Sequence, residues 1–367
     1  FLLLTLLGSV FASLSYFIYV YNPLEIVIEK VCSFYPNSIV YGLWKEPPFN
    51  ILIKVYLFNV TNSNEFLEGT EKLNLSEVGP YVYREELYND NVTFNDNGTI
   101  TFIPKRRLTF VPELSVGDPF IDSLLLPNVP LLGITASLID QSMFVQIGVS
   151  SISAYLGAEA FMNLTINDYL YGYDDSLVTL ANDYLPNWID FPKFGILDRI
   201  MNLDNGSNIV TMNINPEIKM SDNQLLTTEE RLQQFSIQNW DGSSGLKHWG
   251  YIASNETDSV LQNSKCNLVE GSFMGTIFPR NIKENSSFSL YRRAFCRPIP
   301  IQYEKNVVTK DGFKGYLYRV EQNFLATAEE NSKNKCYCKS EQCVPKGLGD
   351  LSPCYYSIPI SMSQPHF

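Results

Sequence analysis

The chain has 367 residues, 45% apolar and 13% aromatic, with a formal net charge of −12. That apolar content fills a sizeable core, which excludes a disordered chain. The acidic balance excludes a nucleic-acid surface, because phosphate contacts need Lys and Arg in excess.

Residues 1–21, FLLLTLLGSVFASLSYFIYVY, carry no charge, and the first acid is Glu25. About 20 apolar residues are what a helix needs to cross a bilayer. A signal peptide is the competing reading, but its apolar stretch is shorter and ends in small residues. This run ends in Tyr16, Phe17, Tyr19 and Tyr21, an aromatic belt suited to a membrane interface. Residues 1–22 are therefore expected to form an uncleaved anchor and 23–367 a single ectodomain. A start on Phe1 and an end on Phe367 suggest a fragment.

Beyond the anchor the sequence is mostly strand-like. ILIKVYLF at 51–58, YVYRE at 81–85, TITFI at 99–103, RLTFV at 107–111 and GYLYRV at 315–320 are rich in β-branched and aromatic residues, which predicts antiparallel sheet. Asn97-Gly98, between NVTFN and TITFI, predicts a two-residue hairpin turn, and Asp311-Gly312 predicts another. Eight N-x-S/T triplets mark candidate glycan acceptors: Asn59, Asn74, Asn91, Asn97, Asn163, Asn205, Asn255 and Asn285. Asn97 at its turn and Asn59 at a strand end are expected to face solvent.

Two segments break the strand pattern, 137–166 and 225–238, and both are expected to be helical. In the first, no charge falls between Asp140 and Glu159. Val145, Val149, Ile152 and Leu156 recur at helical spacing, with Gln146, Ser150 and Ser153 as a thin polar face. Periodicity alone fits a helix packed in the core; a helix facing lipid is the alternative.

Six of seven cysteines fall between Cys266 and Cys354, with Cys32 alone near the anchor. The cluster fits a disulfide framework in an oxidising compartment, and sequence leaves its fifteen pairings open. A zinc site lacks paired C-x2-C knuckles and a nearby His, so no metal and no cofactor is expected. His248 and His366 are the only histidines. No G-x-S-x-G, H-E-x-x-H, G-x-G-x-x-G or Walker loop occurs, and no spacing singles out a carboxylate pair, so no catalytic residue is assigned.

LWKEPPFNILIKVYLFNVTN (43–62), VGPYVYRE (78–85), GTITFIPKRRLTFVPELSVG (98–117), FMNLTINDYLYGY (161–173) and the closing PHF occur in the order found in the class B scavenger receptors, which this chain resembles throughout. The resemblance implies an α+β fold, a large antiparallel β-barrel with a helical cap and an internal apolar tunnel, and a second anchor beyond Phe367. The cap would be 137–166 with 225–238. Its implied lipid-contact residues are Phe144, Val145, Val149, Ile152, Tyr155, Leu156 and Phe161. It also implies the pairs Cys266–Cys336, Cys296–Cys354 and Cys338–Cys343, leaving Cys32 unpaired, and makes PHF, with His366, a structural motif.

The implied function is a non-enzymatic cell-surface receptor that binds lipids or lipoprotein-like particles and passes apolar lipid through the tunnel to the membrane. Recognition or trafficking of protein or particle ligands, at the cell surface or in lysosomes, is the alternative. The chain departs from the fatty-acid translocase branch, which carries lysines in the cap: Tyr155, Leu156, Gly157, Ala158 and Glu159 stand there, and Lys193 is the only basic residue between Ser137 and Asp198. The run Ala160, Phe161, Met162, Asn163 and Thr165 is similar to the lipoprotein-receptor branch. Lys105, Arg106, Arg107, Arg292, Arg293 and Arg297 are read as solvated surface rather than ligand contacts.

Overall fold

Two helices lead into the domain, α1 (Leu2–Tyr21) and α2 (Pro23–Val31). Asn22, in the left-handed region at φ 37, and Pro23 at the first position of α2 end one helix and start the next. The computed structural model describes all residues except 1, 188, 202–207, 215–231, 254–262, 265, 281, 339–342 and 367. Side chains of α1 are described from Leu7 to Val20, about 21 Å at 1.5 Å per residue. Among the described residues no helix is long and apolar enough to cross a membrane.

The remaining elements follow in chain order. They are α3 (Ile39–Lys45), β1 (Ile51–Val60), α4 (Ser63–Leu67), β2 (Leu75–Phe94), β3 (Thr99–Phe110), β4 (Ser123–Pro127), α5 (Val129–Ser137), α6 (Met143–Tyr155) and β5 (Phe161–Thr165). Then come α7 (Ile166–Tyr171), α8 (Ser176–Tyr184), α9 (Ile196–Met201), β6 (Val210–Asn213), β7 (Ile237–Trp240), β8 (Ser287–Arg292), β9 (Arg297–Val308), β10 (Lys314–Val320), β11 (Gly349–Asp350) and β12 (Ser361–Met362).

Every named strand pairs antiparallel, as the strand-rich sequence predicts. One sheet runs β1-β2-β3-β6-β7, a second β10-β9-β8, and two further pairs are β4-β5 and β11-β12. The expected closed barrel is not formed among the described residues. The outer edge of β1 carries no ladder; instead Asn59 Oδ1 accepts the Leu125 N–H at 2.8 Å, so β4 approaches through a side chain. The two larger sheets nevertheless join. Segment 271–273 bonds to β7 on one side (Gly271 N to Ile237 O, 2.9 Å; Ile237 N to Ser272 O, 2.7 Å) and to β8 on the other (Phe273 N to Ser289 O, 2.7 Å; Tyr291 N to Phe273 O, 2.9 Å).

The main core lies against this joined wall, around Trp44, Ile100, Phe102, Met212, Trp249 and Phe288. α3 docks there because Trp44 meets Phe102 edge-on, with centroids 4.7 Å apart, while Asn89 Nδ2 donates to the Trp44 carbonyl. Ser38 caps α3 by accepting the Tyr41 N–H. A second apolar region, with Tyr81, Tyr83, Tyr169 and Tyr173 among its residues, packs β2 and the β4-β5 pair against α7, α8 and α9.

Three local expectations are corrected. β2 and β3 are joined by residues 95–98, not by a two-residue turn. Asn95 N bonds Thr99 O at 2.9 Å, and only Gly98 of the Asn-Gly pair has φ > 0. Of the predicted helix over 225–238, residues 225–231 lie outside the described residues, and 232–238 is a turn followed by the start of β7 rather than helix. The segment 137–166 is helical only over α6; its last part is strand β5, because Phe161–Thr165 pair with Ser123–Pro127. A fourth correction lies at Asp311-Gly312: a turn forms, with Gly312 at φ 85, but residues 309–313 join β9 to β10, with Thr309 N bonded to Phe313 O at 2.8 Å, so it is not a two-residue turn either.

Burial pushes the phenols of Tyr83 and Tyr169 up to about 12, and raises Tyr171 and Tyr173 as well. A phenol raised above its unfolded value of about 10 adds stability that is fully present below that value and is lost as pH climbs through the folded pKa. The fold is thus expected to hold to about pH 10 and to weaken toward pH 12. Absorbance of phenolate recorded beside tryptophan fluorescence checks this: these phenols should ionise together with unfolding, not before it. In the main core, Phe102→Ala should destabilise by about 3–5 kcal/mol in denaturant titration, since Phe102 is 1% exposed and its loss opens a cavity beside Trp44.

Candidate functional site

α6 is exposed along most of its length although its residues are apolar or small. Its N-cap Ser142 makes no side-chain cap bond. Anchoring comes from Gln146, whose Nε2 donates to the carbonyls of Leu138, Ile139 and Gln141 at 3.0, 3.2 and 3.0 Å. The helix is followed by Gly157 at φ 66, which lets the chain turn toward β5.

The preceding helix is more firmly held. Asn128 Oδ1 accepts the Leu131 N–H at the start of α5, while its Nδ2 donates to Asp175 Oδ2 at 3.1 Å. Asp175 Oδ1 in turn accepts the N–H groups of Leu177 and Val178 at the start of α8. Both side chains are buried, so one polar pair caps and joins two helices.

The face α6 turns inward cuts across the expected stripe and the expected polar face alike. Gln146, Val149, Ser153 and Leu156 form the covered line, with Ser153 the most buried. Four of the predicted contact residues, Phe144 (88% exposed), Val145, Ile152 and Tyr155 (90% exposed), point to solvent, together with Met143 and Ile147. Val149 and Leu156 are half-buried, and Phe161 is buried in β5, where its ring meets Phe66 edge-on. Sequence reasoning missed Met143 and Ile147. An exposed apolar surface of this kind usually marks an interaction site, and this one carries no charge between Asp140 and Glu159.

The basic residues considered above mostly have acidic partners, and Lys105 and Arg107 pair at the surface. Lys105 pairs with Asp90 at 2.8 Å, Arg106 with Glu85 at 3.1 Å, Arg107 with Glu86 at 3.9 Å and Arg293 with Asp241 at 3.3 Å. Arg297 is buried rather than solvated, with its guanidinium 4.1 Å from the Tyr337 ring centroid. Arg292 is half-buried, and burial lowers its pKa.

Disulfides join Cys266 to Cys336, Cys296 to Cys354 and Cys338 to Cys343, and Cys32 is free. His248 Nε2 lies 3.2 Å from Cys354 Sγ, and His366 Nε2 lies 3.8 Å from Glu77 Oε1. Among the acceptor asparagines, Asn74, Asn91, Asn97, Asn163 and Asn285 are exposed, and Asn59 is half-buried through its bond to Leu125. Asn205 and Asn255 lie outside the described residues. A cleft lined by Asn323, Leu325, Glu330, Lys346 and Gln364 sits in the cysteine-rich part, and none of the predicted contact residues lines it.

The CD36 family profile matches residues 2–367. Scavenger receptor class B member 1 of Cricetulus griseus is 30% identical over 337 residues, which are 90% of this chain and 59% of that one. The Sus scrofa protein of the same name is 29% identical over the same shares. Lysosome membrane protein 2 of Rattus norvegicus is 30% identical over 345 residues, 93% of this chain and 64% of that one. The chain therefore spans less than two thirds of the length of these curated relatives. With the cysteine pairing and the uncharged α6 in place, the match over nearly every residue settles the family: the chain belongs to the CD36 family.

Proposed function

We propose that the chain is part of a glycosylated, membrane-anchored scavenger receptor that takes up apolar lipid, or lipid-bearing particles, at α6 and delivers the lipid inward through the domain to the bilayer. The observation that carries this reading is the outward apolar surface of α6. A core helix would bury Phe144, Ile147, Ile152 and Tyr155, whereas here these residues stay exposed, and covering an apolar side chain contributes about 1.5–3 kcal/mol. Absence of charge on this surface favours neutral ligands over anionic ones. The names of the relatives agree, one a scavenger receptor and the other a lysosomal membrane protein, so the plasma membrane and the lysosomal membrane are both candidate locations.

The anchor is assigned from the sequence: residues 1–21 carry no charge, and about 20 apolar residues are what a helix needs to cross a hydrocarbon core. The ectodomain would then face the extracellular space or a lumen, where disulfides persist and acceptor asparagines meet glycosylation. The work of this receptor is transfer of apolar area, not bond chemistry, so no enzyme activity is assigned. Recognition of particles without lipid transport is the competing function, and uptake measurements separate the two.

Phe144→Asp and Ile152→Lys, each in a membrane-anchored receptor, should leave the cell-surface level unchanged and lower uptake of a fluorescent sterol at least fivefold. Val149→Asp should lower the surface level as well, because an unpaired charge on the half-buried line of α6 destabilises the fold. Normal uptake in both outward variants contradicts the proposal; lost particle binding with sterol uptake intact favours recognition alone. Enzymatic deglycosylation in heavy-oxygen water should label Asn74, Asn91, Asn97, Asn163 and Asn285. Absence of label at most of these places the domain on the other side of the membrane.

A further inference from the structure

The hairpin formed by β9 and β10 stands clear of the domain. Its ladder holds Val308 opposite Lys314 and Asn306 opposite Tyr316. Every residue from Val308 to Lys314 is exposed, Val308 at 66% and Phe313 at 70%, so neither face of the tip is covered. A two-stranded ribbon left bare in water is marginal. This one is nevertheless closed tightly: Thr309 N–H donates to the Phe313 carbonyl at 2.8 Å, Gly312 N–H to the Thr309 carbonyl at 3.0 Å and Phe313 N–H to Thr309 Oγ1 at 3.1 Å. Phe313 is therefore presented on a fixed turn.

Charge sets this tip apart from an acidic chain. Residues 305–314 hold Lys305, Lys310 and Lys314 against Asp311 alone, a net +2 where the whole chain carries −12. All three lysines are exposed, and the nearby acids are engaged elsewhere: Glu304 pairs with Arg319, and Glu284 accepts from Asn306 Nδ2 at 2.9 Å.

The tip also lies on the side of the domain where the chain arrives from α2. Phe34, just past α2, packs on Phe94 and on Phe235, with centroids 6.2 and 5.4 Å apart, and Phe235 precedes β7. At the other end of β7, Asp241 pairs with Arg293 at 3.3 Å, and β8 finishes there. β8 reaches that point from beside segment 271–273, which is bonded to Ile237 at the start of β7. β9 begins opposite Arg292 and runs back antiparallel, so the turn 309–313 projects toward the α2 side.

We propose that the tip of this hairpin enters the headgroup layer of the bilayer that carries the anchor, with Phe313 and Val308 at the acyl boundary and Lys310 and Lys314 on lipid phosphates. This rests on the anchor proposed above and adds a second point of attachment, which fixes how the domain leans over the membrane. The residue types suit an interface: the ring and the branched side chain leave water, while the lysine stems reach back to the phosphates. Phosphate is common to zwitterionic and anionic lipids, and anionic lipid strengthens the attraction.

The test places a nitrobenzoxadiazole label at Phe313→Cys in the full chain carrying Cys32→Ser, reconstituted in phosphatidylcholine vesicles with and without phosphatidylserine. The other cysteines are paired, so the label goes to one site. Lipids bearing a nitroxide high on the acyl chain should quench this label at least twofold more than the same label at Tyr184→Cys, an exposed position on α8. Lys310→Glu with Lys314→Glu should lower the quenching by at least half and leave circular dichroism unchanged, since both residues are exposed. Equal quenching at positions 313 and 184, or quenching untouched by the charge reversals, overturns the proposal. So does quenching only by nitroxide lipid in added protein-free vesicles, which assigns the tip to a lipid particle instead. Flotation resistant to alkaline carbonate reports the anchor separately. A floating chain with an unquenched tip removes the hairpin contact alone, whereas a chain that does not float removes the anchor and the bilayer contact together.

Discussion

The domain depends on three residues of main chain, 271–273, which are hydrogen-bonded to β7 on one side and β8 on the other. Through them the five-stranded and three-stranded sheets become one continuous wall, and a common core can form across it. Gly271 at φ 81 supplies the backbone conformation, and Ser272 and Phe273 are enclosed. Residues from α3, both sheets and the Cys296–Cys354 region then share a single apolar cluster. Separate sheets of this size would each leave a broad apolar face uncovered.

Against that wall, α6 follows a different rule. It covers Gln146 and Ser153 together with Val149, and presents Met143, Phe144, Ile147, Ile152 and Tyr155 outward. A folding domain gains nothing from such an arrangement, because the hydrophobic term favours the opposite face. The arrangement is consistent with a surface kept for a ligand, and the buried cap shared by Asn128 and Asp175 holds the neighbouring α5 firmly while α6 stays uncovered.

Strands were the most legible part of the sequence: the β-branched and aromatic run ILIKVYLF forms β1, although the alternation of half-buried and exposed positions along it is not written in its nearly all-apolar residues. The joint at 271–273 was not legible: GSF has no strand pattern, and its pairing is decided by partners over thirty residues upstream and about sixteen downstream. Orientation of α6 was equally hidden. Where nearly every residue is apolar or small, periodicity places a helix but does not say which side it buries. The β2–β3 connection missed the two-residue form because Asn95 and Thr99 close it one step earlier, through their own main-chain bond. Among the basic residues, Lys105 and Arg107 are exposed as read, but sequence did not show that Lys105, Arg106 and Arg107, across the β2–β3 ladder from Tyr88, Leu87 and Glu86, reach acids on β2, or that Arg297 is buried.

The amide of Gln146 has a further consequence for the cost of capturing a ligand. By fixing three carbonyls of the preceding loop it keeps α6 wound before anything docks. A lipid-seeking peptide that must coil upon arrival gives up about 1–2 kcal/mol of backbone entropy per residue ordered. Under the proposed function that ordering is complete in advance, so docking at α6 would carry no coil-to-helix cost.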